Sequence, residues 1–164
     1  MNDDASPSPK LIATAHHEAG HAVMAISLGR NIHKVTIKPG KSQFGTQHAG
    51  LCKLGDGRSK ATKNAMEEEV LILLAGMVAE SHVTGEYCAQ GASEDLRLVQ
   101  RLLCQRAGSE SQHERMFRRL LDKAEHQLAD EGHRYAVKLI ANELIEKTTI
   151  SGRAVRHFFQ QAVK

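Results

Sequence analysis

The sequence has no tryptophan, and only two tyrosines and four phenylalanines among 164 residues. So thin an aromatic supply leaves the core to Leu, Ile, Val, Ala and Met, which suits helices better than an aromatic-rich β-sandwich. Long apolar runs are missing too. The longest is VLILLAGMVA, Val70 to Ala79, well short of the roughly 20 residues needed to cross a bilayer. The opening MNDDASPSPK is acidic, rich in Pro and Ser, and lacks the apolar stretch of a secretory signal. Residues 1–8 are therefore expected to be a disordered lead-in, and 9–164 a single domain. Three cysteines, Cys52, Cys88 and Cys104, are odd in number and form no C-x-x-C pair. That argues against a disulfide framework and for a reducing, cytoplasmic setting. Neither sign of charge dominates: 22 basic and 19 acidic residues are intermixed. Glu114 to Lys123, ERMFRRLLDK, is locally basic but interrupted by acids, so a nucleic-acid partner is not expected. GDGRSK, Gly55 to Lys60, reads as a turn and lacks the spacing of a phosphate loop.

What the chain does have is helical periodicity. Leu11, Ile12, Ala15, Ala19, Ala22, Val23 and Ile26 recur at helix spacing from Pro9 to about Leu28, and Gly29 ends the run. Val35 and Ile37 alternate with Lys34, Thr36 and Lys38, the pattern of a half-buried strand closed by Pro39-Gly40. Phe44 to Leu54 reads as a second extended segment with bends at Gly45 and Gly50. A helix is expected from about Ala61 to Val83, with Met66, Val70, Leu73, Leu74 and Met77 on its apolar stripe. Ser93 is placed to cap the next helix, with Glu94 and Asp95 in a first turn where negative charge is favoured, and that helix is expected to reach about Ala107. Beyond Gly108 the chain reads as helical, with breaks near Asp130–Gly132 and at Thr148–Gly152, where Ser151 can cap a last helix. The expected fold class is mostly α (α+β), with a small early β element at about residues 32–54.

Within the first helix lies HHEAGH, His16 to His21. His17 and His21 stand one turn apart, so their imidazoles can share one metal ion. Glu18 lies about 100° round the helix from His17, too far to be a third ligand but placed to touch a water on that metal. This is the H-E-x-x-H arrangement of zinc peptidases: zinc lowers the pKa of water to about 7, and the carboxylate takes the proton. With ten histidines in the chain, a chance match is the competing explanation. His113, His126, His133 and His157 have no i+4 histidine and read as surface or packing residues, and His16 points to another face. A catalytic zinc needs a third protein ligand. Glu80, Cys88 and Asp95 are candidates, with a slight advantage to Asp95 because a helix terminus is a rigid support.

ATAHHEAGHAVMA (Ala13 to Ala25), HKVTIKP, AGMVAE, GASEDL and LIEKTTISG resemble, in this order, blocks of the peptidase domain of the FtsH-type ATP-dependent zinc metalloproteases. The resemblance covers nearly the whole chain from about Leu11. It implies one Zn2+ per chain held by His17, His21 and Asp95, Glu18 as general base, and Glu80 as a residue orienting a ligand imidazole. Cys88 then becomes a loop cysteine. It also implies an endopeptidase acting on unfolded or flexible polypeptides, which would add as an extra strand near Gly45–Leu51. Family members carry a membrane anchor and an ATPase module and work as hexamers. These 164 residues show neither an apolar span nor a phosphate loop, so a separate ATPase or unfoldase partner and a homo-oligomer are the partners the resemblance suggests.

Two rival readings compete with a peptidase. One is a non-catalytic zinc-binding interaction module of the same fold, against which the retained Glu18 argues. The other is a di-metal helical bundle built on Glu18-x-x-His21 and Glu110-x-x-His113 with Glu68 and Glu143, in which the early strand and GASED have no place.

Overall fold

A computed structural model describes residues 5–41, 45 and 47–164. Among these residues there are six helices, a three-stranded antiparallel sheet and a two-stranded ribbon, the mostly α fold expected. The first helix, α1 (Pro9–Ser27), starts where the Ser8 hydroxyl accepts from the Leu11 N–H at 3.1 Å and Pro9 needs no N–H partner. It ends at Gly29, whose φ of +83° turns the chain into β1 (Arg30–Thr36). The ribbon β2 (Gly40–Lys41) and β3 (Gln47–His48) follows, then β4 (Leu51–Arg58). Next come α2 (Ala65–Thr84), α3 (Ser93–Cys104), α4 (Glu110–Ala129), α5 (Glu131–Lys147), β5 (Thr149–Ser151) and α6 (Gly152–Ala162).

Helix α2 is buried on nearly every side from Val70 to Glu80. It lies against α1, α3 and α4, while α1 also packs on α5 and β1. The two central helices approach closely because Gly20 has no side chain. A Cβ there would sit 2.5 Å from the Ala75 carbonyl oxygen and from the Ala79 Cβ. The main sheet has the order β4-β1-β5, all antiparallel, with Val35 opposite both Cys52 and Ile150. Strand β4 is therefore an edge.

Several expectations shift. Gly55 to Lys60 is not simply a turn: β4 continues through Arg58, opposite Arg30, with register shifts in β1 that glycines at 55 and 57 tolerate. The early β element thus spans 30–58 rather than 32–54. Of the extended segment from Phe44, Gln47–His48 and Leu51 onward are strand, and Phe44 and Thr46 lie outside the described residues. Helix α2 begins four residues later than expected, where Asn64 Oδ1 accepts from the Glu67 N–H at 3.1 Å. Ser93 is the first residue of α3 and not its cap. That position belongs to buried Ala92, without a side-chain bond, and the helix stops at Cys104.

The break at Thr148–Gly152 also holds an unexpected strand. Thr148 (φ +67°) donates to the Leu144 carbonyl and accepts from the Ile37 N–H at 2.9 Å, which places β5 on β1. Ser151 then caps α6, accepting from the Ala154 N–H.

Candidate metal centre

Helical geometry supplies the first half of the site. One turn apart on α1, the His17 and His21 rings meet edge to face with centroids 4.7 Å apart, both buried. The second half comes from across the helix interface. His17 donates through Nδ1–H to Glu80 Oε2 at 2.9 Å, and His21 through Nδ1–H to the Ile72 carbonyl at 2.7 Å. Both acceptors lie on α2. With Nδ1 committed as donor on each ring, the two Nε2 atoms turn inward. They face the same atom, Asp95 Oδ2 in the first turn of α3, at 3.0 Å from His17 and 3.2 Å from His21.

Gly76 makes room for this convergence. A Cβ there would lie 2.6 Å from the Nε2 of both histidines. Glu18, buried on the adjacent face of α1, is flanked by Gly50, where a Cβ would come within 2.9 Å of Glu18 Oε1.

The donor set fits zinc. His17, His21 and Asp95 each offer one ligand atom, and these lie within 4.8 Å of one another, the only such group of three among the described residues. Neutral imidazoles with Nδ1–H would aim two lone pairs at a carboxylate oxygen, so the trio needs positive charge at its centre. At Zn–N distances of about 2.0–2.1 Å a tetrahedral edge is about 3.3 Å. The two Nε2–Oδ2 separations are close to that.

Electrostatics tell the same story. Burial would keep His17 neutral, but hydrogen bonds to Asp95 and Glu80, with the charge of Glu18, outweigh it and raise its pKa to about 10. His21 is raised as well: the charge and hydrogen bond of Asp95 overcome burial. Asp95 resists burial and is held below the usual carboxylate range by the two imidazoles. Burial pushes Glu18 upward, with His21 and His17 pulling the other way. Without metal, this cluster attracts protons into the place where a cation would sit.

Of the three candidates for a third ligand, only Asp95 meets the histidines in this way. Glu80 contacts the outer nitrogen of His17, and Cys88 is exposed in a loop with its Sγ accepting from the Gly91 N–H at 3.3 Å. His16 binds the Ile12 carbonyl and stays outside. The second E-x-x-H pair is not drawn in either. Glu68 pairs with Arg58 and Glu143 with Lys147, and neither Glu110 nor His113 joins the cluster. Reading the sequence overlooked Gly76, whose position inside an otherwise apolar helix was the available signal, and the Ile72 carbonyl, for which no side-chain signal exists.

The sequence model of peptidase family M41 matches residues 7–109, which include His17, Glu18, His21, Glu80 and Asp95. The ATP-dependent zinc metalloprotease FtsH of Methylococcus capsulatus is 27% identical over 194 aligned positions, covering 90% of this chain and 29% of the relative. FtsH 1 of Rhodopirellula baltica is 37% identical over 86 residues, 51% of this chain and 12% of the relative. FtsH 2 of Alkaliphilus metalliredigens is 39% identical over 88 residues, 52% and 12% respectively. The chain thus spans less than a third of the length of these relatives.

Proposed function

The chain belongs to peptidase family M41, and from that premise we propose that it is a zinc-dependent endopeptidase acting on unfolded or flexible polypeptides. The observation that carries this reading is the meeting of the His17 and His21 Nε2 atoms at Asp95 Oδ2, each ring tied from behind through Nδ1, with Glu18 alongside.

His17, His21 and Asp95 would hold one zinc ion. Zinc, when bound, supplies Lewis acidity that polarises the scissile carbonyl and makes water a nucleophile near neutral pH. Glu18 takes the proton of the attacking water and returns it to the departing amine. Its buried setting raises its pKa, as a base that must also act as an acid requires. Glu80 and the Ile72 carbonyl hold the imidazoles in the tautomer that points Nε2 inward. The edge of β4, beginning at half-exposed Leu51, offers backbone groups to which an extended substrate can add as a strand.

An ATP-driven unfoldase, on the same or another polypeptide, would deliver folded substrates, and assembly into a ring would confine them. A reducing cytoplasmic setting agrees with three free cysteines. Among the described residues no helix is long and apolar enough to cross a membrane.

The test compares zinc-loaded wild type with Glu18→Gln on a labelled, permanently unfolded protein without ATP. Cleavage by wild type alone is expected. If neither cleaves while both hold one zinc, the non-catalytic module becomes the better account.

A further inference from the structure

A pocket of about 660 Å³ opens between the start of α1 and the β2–β3 ribbon, on the face of α1 that carries Glu18. Its position relative to the site follows from helix geometry. Leu11 and Thr14 line it, and they precede Glu18 by seven and four residues, so all three share one face of α1. From the other side, His48 lines the pocket two residues before Gly50, the glycine pressed against the Glu18 carboxylate. A peptide lying across the centre would therefore place a side chain flanking its scissile bond in this pocket.

The lining is chemically one-sided. Leu11 and Ile37 give it an apolar floor, while Lys10, Lys41 and His48 stand round it, and among the described residues no acidic side chain lines it. Among the described residues neither lysine takes part in an ion pair. Among the described residues His48 Nδ1 is buried without a hydrogen-bond partner. That is a costly condition, and with its proton on Nδ1 the ring donates to an acceptor that reaches it. Gly40 leaves room for the ring: a Cβ there would come within 2.9 Å of His48 Cε1.

We propose that this pocket is a substrate subsite selective for acidic side chains, the carboxylate of a Glu or Asp flanking the scissile bond being met by Lys10, Lys41 and His48. The inference rests on the endopeptidase reading for its place in catalysis, but not for the binding itself. Glutamate suits it best, because its methylenes can cover the apolar floor while the carboxylate reaches the cationic rim. Lysine at the same substrate position meets like charge and is disfavoured. Two partly solvated charge pairs allow a preference of about three- to tenfold, declining at high salt.

The test uses unstructured peptides in which a single Gln is replaced, position by position, with Glu or with Lys. Binding to zinc-loaded Glu18→Gln protein is read by fluorescence anisotropy, and cleavage sites are mapped with wild type. One position next to the cleaved bond is expected to favour Glu over Lys by at least threefold. The double variant Lys10→Glu/Lys41→Glu, altered only at exposed side chains and checked for an unchanged melting temperature, is expected to reverse it. The proposal is overturned by a Glu preference below twofold at every position, by a preference the double variant leaves intact, or by no measurable binding of any peptide. If wild type cleaves without preference, the subsite inference fails and the peptidase reading stands. If peptides bind with the preference and none is cleaved, the reverse holds.

Discussion

Replacing Gly76 with alanine adds one methyl group where the two imidazoles converge. Its carbon would lie 2.6 Å from His17 Nε2, His21 Nε2 and His21 Cε1, about 0.8 Å short of the 3.4 Å at which ordinary contact begins. The rings cannot simply withdraw, because Glu80 and the Ile72 carbonyl hold them by Nδ1 at 2.9 and 2.7 Å. A shift of that size exceeds the roughly 0.2 Å tolerance of a zinc ligand. We therefore expect zinc affinity to fall at least about 100-fold, equivalent to about 2.7 kcal/mol. The fold should survive. Crowding costs about 1–3 kcal/mol, while alanine gains about 1 kcal/mol over glycine in a helix interior, which leaves a net loss between roughly zero and 2 kcal/mol. Chelator competition measures the affinity, and urea unfolding in EDTA measures the metal-free stability. A Gly76→Ala protein that binds zinc within threefold of wild type would refute the packing argument.

Other perturbations separate the members of the site. Asp95→Ala removes the oxygen shared by both imidazoles and should abolish stoichiometric zinc binding. Metal analysis showing one tightly held zinc would exclude Asp95 as a ligand. Glu80→Ala frees His17 Nδ1 and should weaken zinc binding about 10- to 100-fold while leaving the stoichiometry at one. Undiminished affinity in the same chelator assay would deny Glu80 its orienting role. Metal-free protein should lose thermal stability as pH rises. His17 has a folded pKa of about 10 against 6.5 ordinarily, so its contribution is complete below pH 6.5 and is lost toward pH 10. The rise at His21 and Glu18 has the same sign, and Asp95, lowered, is already fully ionised in that window. Calorimetry in EDTA should thus show Tm falling from pH 6.5 to 10 and the increment from added zinc growing; a flat or rising metal-free Tm would contradict this.

Much of this arrangement could be read from residue order, because it depends on local periodicity. The i, i+4 spacing of His17 and His21 and the offset of Glu18 follow from any helix through them, and the apolar repeat of residues 11–26 requires that helix. The end of α1 at Gly29, the cap at Ser151 and the mostly α class have equally local causes. Long-range pairing is less legible. The three residues of β5 are too few to show a strand pattern, and they become one only because Thr148 binds Ile37 across the domain. Strand β4 runs through Gly55 and Gly57, which look like turn residues until β1 is laid beside them.

For the site itself, residue order determined that two imidazoles and a carboxylate would share one helix surface. The tertiary structure decided what stands opposite them. Asp95 lies 78 residues from His17, and sequence spacing alone could not rank it decisively above Glu80 or Cys88. Gly20 lets α2 approach until Gly76, Glu80 and the Ile72 carbonyl close around the rings. A backbone carbonyl and a missing side chain carry no chemical label in a sequence, and they act only when packing places them against a partner.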